Sequence, residues 1–148
     1  MTDIPRVIRI FCDADVLIAG AASVTGASYI LLRMSEFTIL DCLTSQYVVE
    51  EAERNLLEKF PASLPGFRRI LDAAVNIVPA APRALVRTHA GQAHAKDLPV
   101  LAAALACRAD FLATFNIRHF RPRNNPPIIL QPGEVLARIR ASLARVLD

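Results

Sequence analysis

Asp13 and Asp15 follow directly on an apolar run, Val7 to Cys12 (VIRIFC), and paired carboxylates behind a buried strand are the first residues able to do chemistry. Glu50 and Glu51 stand in a second segment, Asp97 precedes an alanine-rich run, and Thr114 and Asn116 close another apolar stretch, Phe111 to Thr114 (FLAT). Carboxylates brought together repel, and their pKa values rise unless a cation neutralises them. A hard divalent ion, Mg²⁺ or Mn²⁺, resolves that conflict because it takes oxygen ligands and keeps waters that can bridge to phosphates. Such an ion activates water and offsets charge developing on a phosphodiester.

Elements are needed to bring these residues together. The first strand ends at Cys12, and Val16 to Met34, with glycines at Gly20 and Gly26, reads as one or two helices. Phe37 to Leu40 (FTIL) is the second strand candidate, after which Thr44 or Ser45 caps a helix from about Gln46 to Lys59, closed by Phe60-Pro61. Pro65-Gly66 marks a turn, with a short helical stretch through Ala74 and a strand over Val75 to Val78. Pro79 and Pro82 break the chain ahead of a helical segment from about Arg83 to His94. Asp97 reads as the N-cap of a helix with Pro99 in its first turn, running to Cys107. After the FLAT strand come a polar loop over Asn116 to Asn125, a strand over Ile128 to Leu130 and a closing helix from Pro132-Gly133-Glu134 toward Leu147.

Strands alternating with helices imply a parallel sheet covered on both faces, and sites in such sheets lie beyond the carboxyl ends of the strands. With 148 residues and no repeat or linker, a single α/β domain over 1–148 is expected. Hydrophobic residues make up 53% against 21% charged, which excludes a disordered chain. No apolar run approaches the roughly 20 residues of a membrane span. Asp13 and Asp15 argue against a signal peptide. Cys12, Cys42 and Cys107 are odd in number and widely spaced, which fits reduced thiols in a cytoplasmic protein. A net charge of +3 permits a polyanionic partner without demanding one.

Three stretches resemble one known family. IRIFCDADVLIAG is similar to the opening of PIN domains, SQYVVEEAERNLLEKF to their second acidic segment, and AKDLPVLAAALACRADFLATFNIRHF to their Asp, alanine-rich helix, strand and Thr-x-Asp or Thr-x-Asn stretch. The matches occur in order and span about residues 6 to 120. The resemblance implies a PIN-like three-layer α/β/α sandwich with a central, mostly parallel sheet of about five strands. It also implies a Mg²⁺- or Mn²⁺-dependent endoribonuclease in which Asp13, Glu51 and Asp97 match the metal-binding acids and Asn116 the fourth position. Asp15 and Thr114 would support them. Many relatives of this type are VapC toxins, homodimeric and held by an antitoxin, so RNA, a cognate antitoxin and a second copy are the implied partners.

The chain departs from the most acidic form of that pattern. Asp15 replaces an Asn, Asn116 replaces an Asp of many members, and His119 stands where an Asp often precedes the aromatic residue. An amide ligates through its carbonyl but brings no charge, so the alternative is a catalytically weakened PIN-like module that binds RNA or protein. Asp13-Ala14-Asp15 also resembles the Asp-x-Asp opening of haloacid-dehalogenase-like phosphatases, but Val16-Leu17 stand where their Gly-Thr would follow.

Each residue also has a plain structural role open to it. Helical spacing leaves Glu50 and Glu51 equivalent, and only the resemblance selects Glu51. Asp97 can serve as an N-cap alone, Thr114 can satisfy backbone at a strand end, and His119 can be a surface histidine. His89 and His94, five apart, do not share a helical face as a zinc pair would. Arg118, Arg121 and Arg123 either engage phosphates flanking the scissile bond or form a solvated basic loop.

Overall fold

The computed structural model describes residues 6–147. The single domain expected over 1–148 therefore includes residues 1–5 and 148, which lie outside the described residues.

Five short strands form among the described residues, all but β2 rich in apolar residues: β1 (Arg9–Cys12), β2 (Asp41–Ser45), β3 (Val75–Val78), β4 (Phe111–Ala113) and β5 (Ile128–Leu130). All neighbouring pairs are parallel, in the order β3-β2-β1-β4-β5. Among the described residues, seven α-helices flank the sheet: α1 (Ala14–Ala22), α2 (Ala27–Glu36), α3 (Gln46–Lys59), α4 (Leu64–Ala74), α5 (Arg83–Thr88), α6 (Leu98–Ala106) and α7 (Pro132–Leu147). This is the α/β/α arrangement that the alternation of elements implies.

The sheet centre is the driest part. Ile10, Phe11 and Cys12 of β1, Leu112 and Ala113 of β4, and Val100 to Ala104 of α6 are buried. Burying both faces of β1 explains why Ile10 to Cys12 run on as apolar residues and do not alternate. Gly20 allows α1 and α2 to meet closely, since a Cβ there would lie 2.4 Å from Leu32 Cδ1. Cys12 and Cys42 are buried free thiols.

Three local expectations need correction. The second strand is Asp41–Ser45 (DCLTS), not Phe37 to Leu40. Phe37 and Ile39 are 61% and 56% exposed, and Thr38 between them adopts φ 62°, which no strand tolerates. The polar Thr44 and Ser45 can occupy a buried strand because their hydroxyls are satisfied: Thr44 Oγ1 donates to the Cys12 carbonyl at 2.8 Å, and Ser45 Oγ accepts from Val48 N at 3.3 Å. Ser45, not Thr44, is thus the cap of α3.

The helix from Arg83 stops at Thr88 and not near His94, with Gly91 at φ 83° in the turn beyond it. Asp97 makes no side-chain capping bond to α6, because its carboxylate faces elsewhere.

Candidate functional site

Strand order reverses direction of growth at β1, so the β1/β4 boundary is the topological switch point, where open α/β sheets place their crevices. Asp13 is the first residue beyond β1, and its backbone N extends the ladder to the Ala113 carbonyl at 3.0 Å. Thr114 stands in the equivalent place beyond β4, its N donating to the Leu130 carbonyl at 3.0 Å. The two side chains meet: Thr114 Oγ1 donates to Asp13 Oδ2 at 2.9 Å. Ala14 N donates to Asp13 Oδ1 at 2.8 Å, so Asp13 is also the N-cap of α1. Each carboxylate oxygen keeps a further lone pair.

Asp15, in the first turn of α1, accepts at Oδ2 from Phe115 N at 3.0 Å and from Asn116 Nδ2 at 3.2 Å. Its Oδ1 is buried without a hydrogen-bond partner. Asn116 N in turn donates to Thr114 Oγ1 at 3.0 Å. The structure therefore brings Asp13, Asp15, Thr114 and Asn116 into one bonded set, with Asn116 directed at Asp15.

The remaining two acids act on this set through charge. Burial raises the pKa of Asp13, opposed by the bonds from Ala14 and Thr114, and Asp97 raises it further. Asp15 is pushed up to about 6 by burial and by Asp13, with a smaller contribution from Glu51. Glu51 is raised by burial, then by Asp13 and Asp97. Glu50 is exposed, within 3.5 Å of Gln46 Nε2, and lines a shallow groove with Glu53, Arg54 and Leu57. Helical spacing leaves the two glutamates equivalent; in the fold Glu50 is exposed, whereas Glu51 is half-buried and feels the charges of Asp13 and Asp97.

Asp97 is 8% exposed, and its Oδ2 lies 3.0 Å from His119 Nδ1. That partner fixes the tautomer: with Asp97 ionised and the imidazole neutral, His119 donates from Nδ1 and leaves Nε2 unprotonated. His94 stacks on His119, ring centroids 4.1 Å apart and planes 21° from parallel. Among the described residues, His94, Asp97 and His119 are the compact set, their potential ligand atoms all within 4.8 Å of one another. Asp13, Glu51 and Asp97 are linked more loosely, by the charge each places on the others. Sequence reasoning missed His94, which it weighed only against His89; the signal was the i, i+3 pair His94 and Asp97.

Arg118, Arg121 and Arg123 are exposed on the loop beyond Asn116, and among the described residues none forms an ion pair. The backbone of that loop is tied down, Arg121 N donating to the Gln92 carbonyl and Arg123 N to Gln92 Oε1 at 3.0 Å. No single helix among the described residues is long and apolar enough to cross a membrane.

Fold and site together define an open, all-parallel α/β domain with buried carboxylates at its switch point. The family model of the PIN domain matches residues 9–118, and the chain belongs to that family. Among solved structures, it is similar to a chain of the crystal structure of VapBC2 from Rickettsia felis bound to a DNA fragment from their promoter. The TM-score is 0.65 at 17% identity, over 84% of this chain and 98% of that one, a likeness that shows the fold. No curated protein matches the sequence.

Proposed function

We propose that this chain, as one domain over 1–148, is a metal-dependent endoribonuclease that hydrolyses RNA phosphodiester bonds and is the toxin of a VapC-type toxin–antitoxin pair. The observation that carries the reading is Asp13, fixed at the β1/β4 switch point by Thr114 and raised in pKa by burial and by the charge of Asp97. The residues fit a cation by two further signs: the carboxyls of Asp13, Asp15 and Glu51 are all raised, and Asp15 Oδ1 is a buried acceptor without a donor. A looser acidic cluster suits Mg²⁺ or Mn²⁺, which retain several waters and need few direct protein ligands.

Asp13, Glu51 and Asp97 would hold the ion, with Asn116 completing the set through Asp15. When bound, such an ion supplies a water of lowered pKa and offsets charge on the phosphodiester. Thr114 keeps Asp13 in one rotamer, and Phe115 N and Asn116 Nδ2 do the same for Asp15. The three loop arginines would hold phosphates flanking the scissile bond. A cognate antitoxin, a homodimer and a cytoplasmic location belong to the same reading, supported by the family and by the VapBC2 likeness.

Cleavage of single-stranded RNA in Mn²⁺ tests it. Asp13→Asn and Asp97→Asn are expected to abolish cleavage while the variants still melt cooperatively; undiminished cleavage by both would overturn the assignment. One observation favours a second reading, a weakened RNA- or protein-binding module: Asn116 uses its amide to hold Asp15 and brings no charge of its own. Calorimetry showing RNA binding but no Mn²⁺ binding would select it.

A further inference from the structure

Beyond the acidic cluster, we propose that His94, Asp97 and His119 form a binding site for a borderline divalent transition metal of the Zn²⁺ and Co²⁺ class. The inference does not depend on RNA cleavage. Imidazole nitrogen favours such ions over Mg²⁺, which prefers carboxylate, carbonyl and water. Two imidazoles and one carboxylate are the donor set of several zinc centres that keep an open position.

The backbone already holds the three residues together. His94 N donates to the His119 carbonyl at 2.9 Å, and Ala93 and Phe120 form an antiparallel bridge beside them. The His94 carbonyl accepts from Asp97 N at 2.8 Å and from Leu98 N at 3.0 Å, locking the His94-to-Asp97 turn. Binding therefore orders little chain, which removes one of the main costs of ligand capture.

The side chains need only a small adjustment. Two ligands on opposite sides of a Zn²⁺ at about 2.1 Å each are separated by at most roughly 4.2 Å. The donor atoms here span up to 4.8 Å, and His94, exposed on one side and stacked on His119 on the other, needs to move only by the difference. Asp97 Oδ2 and His119 Nδ1 already face each other at 3.0 Å, so on binding the ion would replace the hydrogen bond between them. Because Asp97 belongs to both clusters, the imidazole site adjoins the acidic one.

Chelator-treated full-length protein is titrated with Zn²⁺ by calorimetry and with Co²⁺ by visible absorption. One equivalent of histidine-dependent ion is expected, with a Co²⁺ spectrum reporting nitrogen ligation. His94→Ala and His119→Gln are each expected to weaken it by at least ~10-fold, the scale at which partners of a metal site act. Glu50→Gln, outside both clusters, should leave it nearly unchanged. Absence of Zn²⁺ and Co²⁺ binding by the unaltered chain, or the same affinity and spectrum in the folded double variant, would overturn the site. Asp13-dependent RNA cleavage without histidine-dependent Zn²⁺ binding would sink this inference alone; the converse would sink only the nuclease reading.

Discussion

Thr114 Oγ1 donates to Asp13 Oδ2 at 2.9 Å while accepting from Asn116 N at 3.0 Å, so one hydroxyl couples the ends of β1 and β4. Thr114 is fully buried and Asp13 nearly so, which leaves little water to replace the bond between them. Thr114→Val keeps the shape but strands both partners, and is expected to destabilise by about 1–3 kcal/mol. Thr114→Ser keeps the hydroxyl and should cost about 1 kcal/mol for the lost methyl. Urea melts order the two; Mn²⁺ calorimetry should show the valine variant binding more weakly than the serine one.

The same residues show how far the sequence could be read. Strand β1, the acid after it and the Thr114-to-Asn116 turn were legible because apolar runs ending in polar residues have few other meanings in an α/β chain. Strand β2 was not, because DCLTS carries buried hydroxyls whose partners, the Cys12 carbonyl and Val48 N, are supplied by the fold. FTIL imitates a strand but stays exposed. Asp97 looked like a cap locally, yet a histidine 22 residues onward takes its carboxylate. His94 was overlooked for the same reason: its neighbour is set by the bridge from Ala93 to Phe120.

Clustered acids make the metal-free protein sensitive to pH in a defined direction. Asp15 is raised from 3.8 to about 6, first by burial and then by Asp13, and Asp13 and Glu51 are raised as well. Between those two values the folded state binds more protons than the unfolded one, so stability falls as pH rises through that window. The melting temperature in chelator should therefore be higher near the lower end of the window than above it. Asp15→Asn should flatten the profile; an unchanged slope would mean that Asp15 does not titrate as its surroundings require.

A divalent ion should reverse that penalty. Mn²⁺ at 100 times its Kd contributes about 2.7 kcal/mol, roughly 5–10 °C in Tm for a chain of this size. Protons compete for the same oxygens, so the rise should be larger at pH 7.5 than at pH 5.5. Thermal melts with and without Mn²⁺ at the two pH values check this, and Asp13→Asn should remove most of the increment at the higher pH.

Glu50 and Glu51 adjoin in sequence but should behave differently. Glu51 is raised by burial and by Asp13 and Asp97, so Glu51→Gln relieves repulsion and should stabilise the metal-free protein slightly while weakening Mn²⁺ binding. Glu50→Gln, on the exposed side of α3, should change neither by more than about 0.5 kcal/mol. Paired chelator melts and Mn²⁺ titrations of both variants decide it; equal loss of Mn²⁺ affinity would reassign the second acid.

Arg118, Arg121 and Arg123 carry exposed guanidinium groups on a loop whose backbone is pinned to Gln92. Because the backbone is held independently of the charges, Arg→Ala changes there should alter RNA binding without loosening the fold. Each phosphate contact to a single strand releases condensed counterions and steepens the fall of log K with log[salt] by about 0.7. If all three engage phosphates, the triple variant should flatten that slope by about 2 and bind every RNA sequence more weakly to a similar degree. Filter-binding assays in Ca²⁺ across a salt series measure this apart from cleavage. A slope that does not move would leave the arginines as a solvated loop and shift the search for phosphate contacts to Arg83 and Arg87, which flank Tyr47 in a cavity of about 620 Å³.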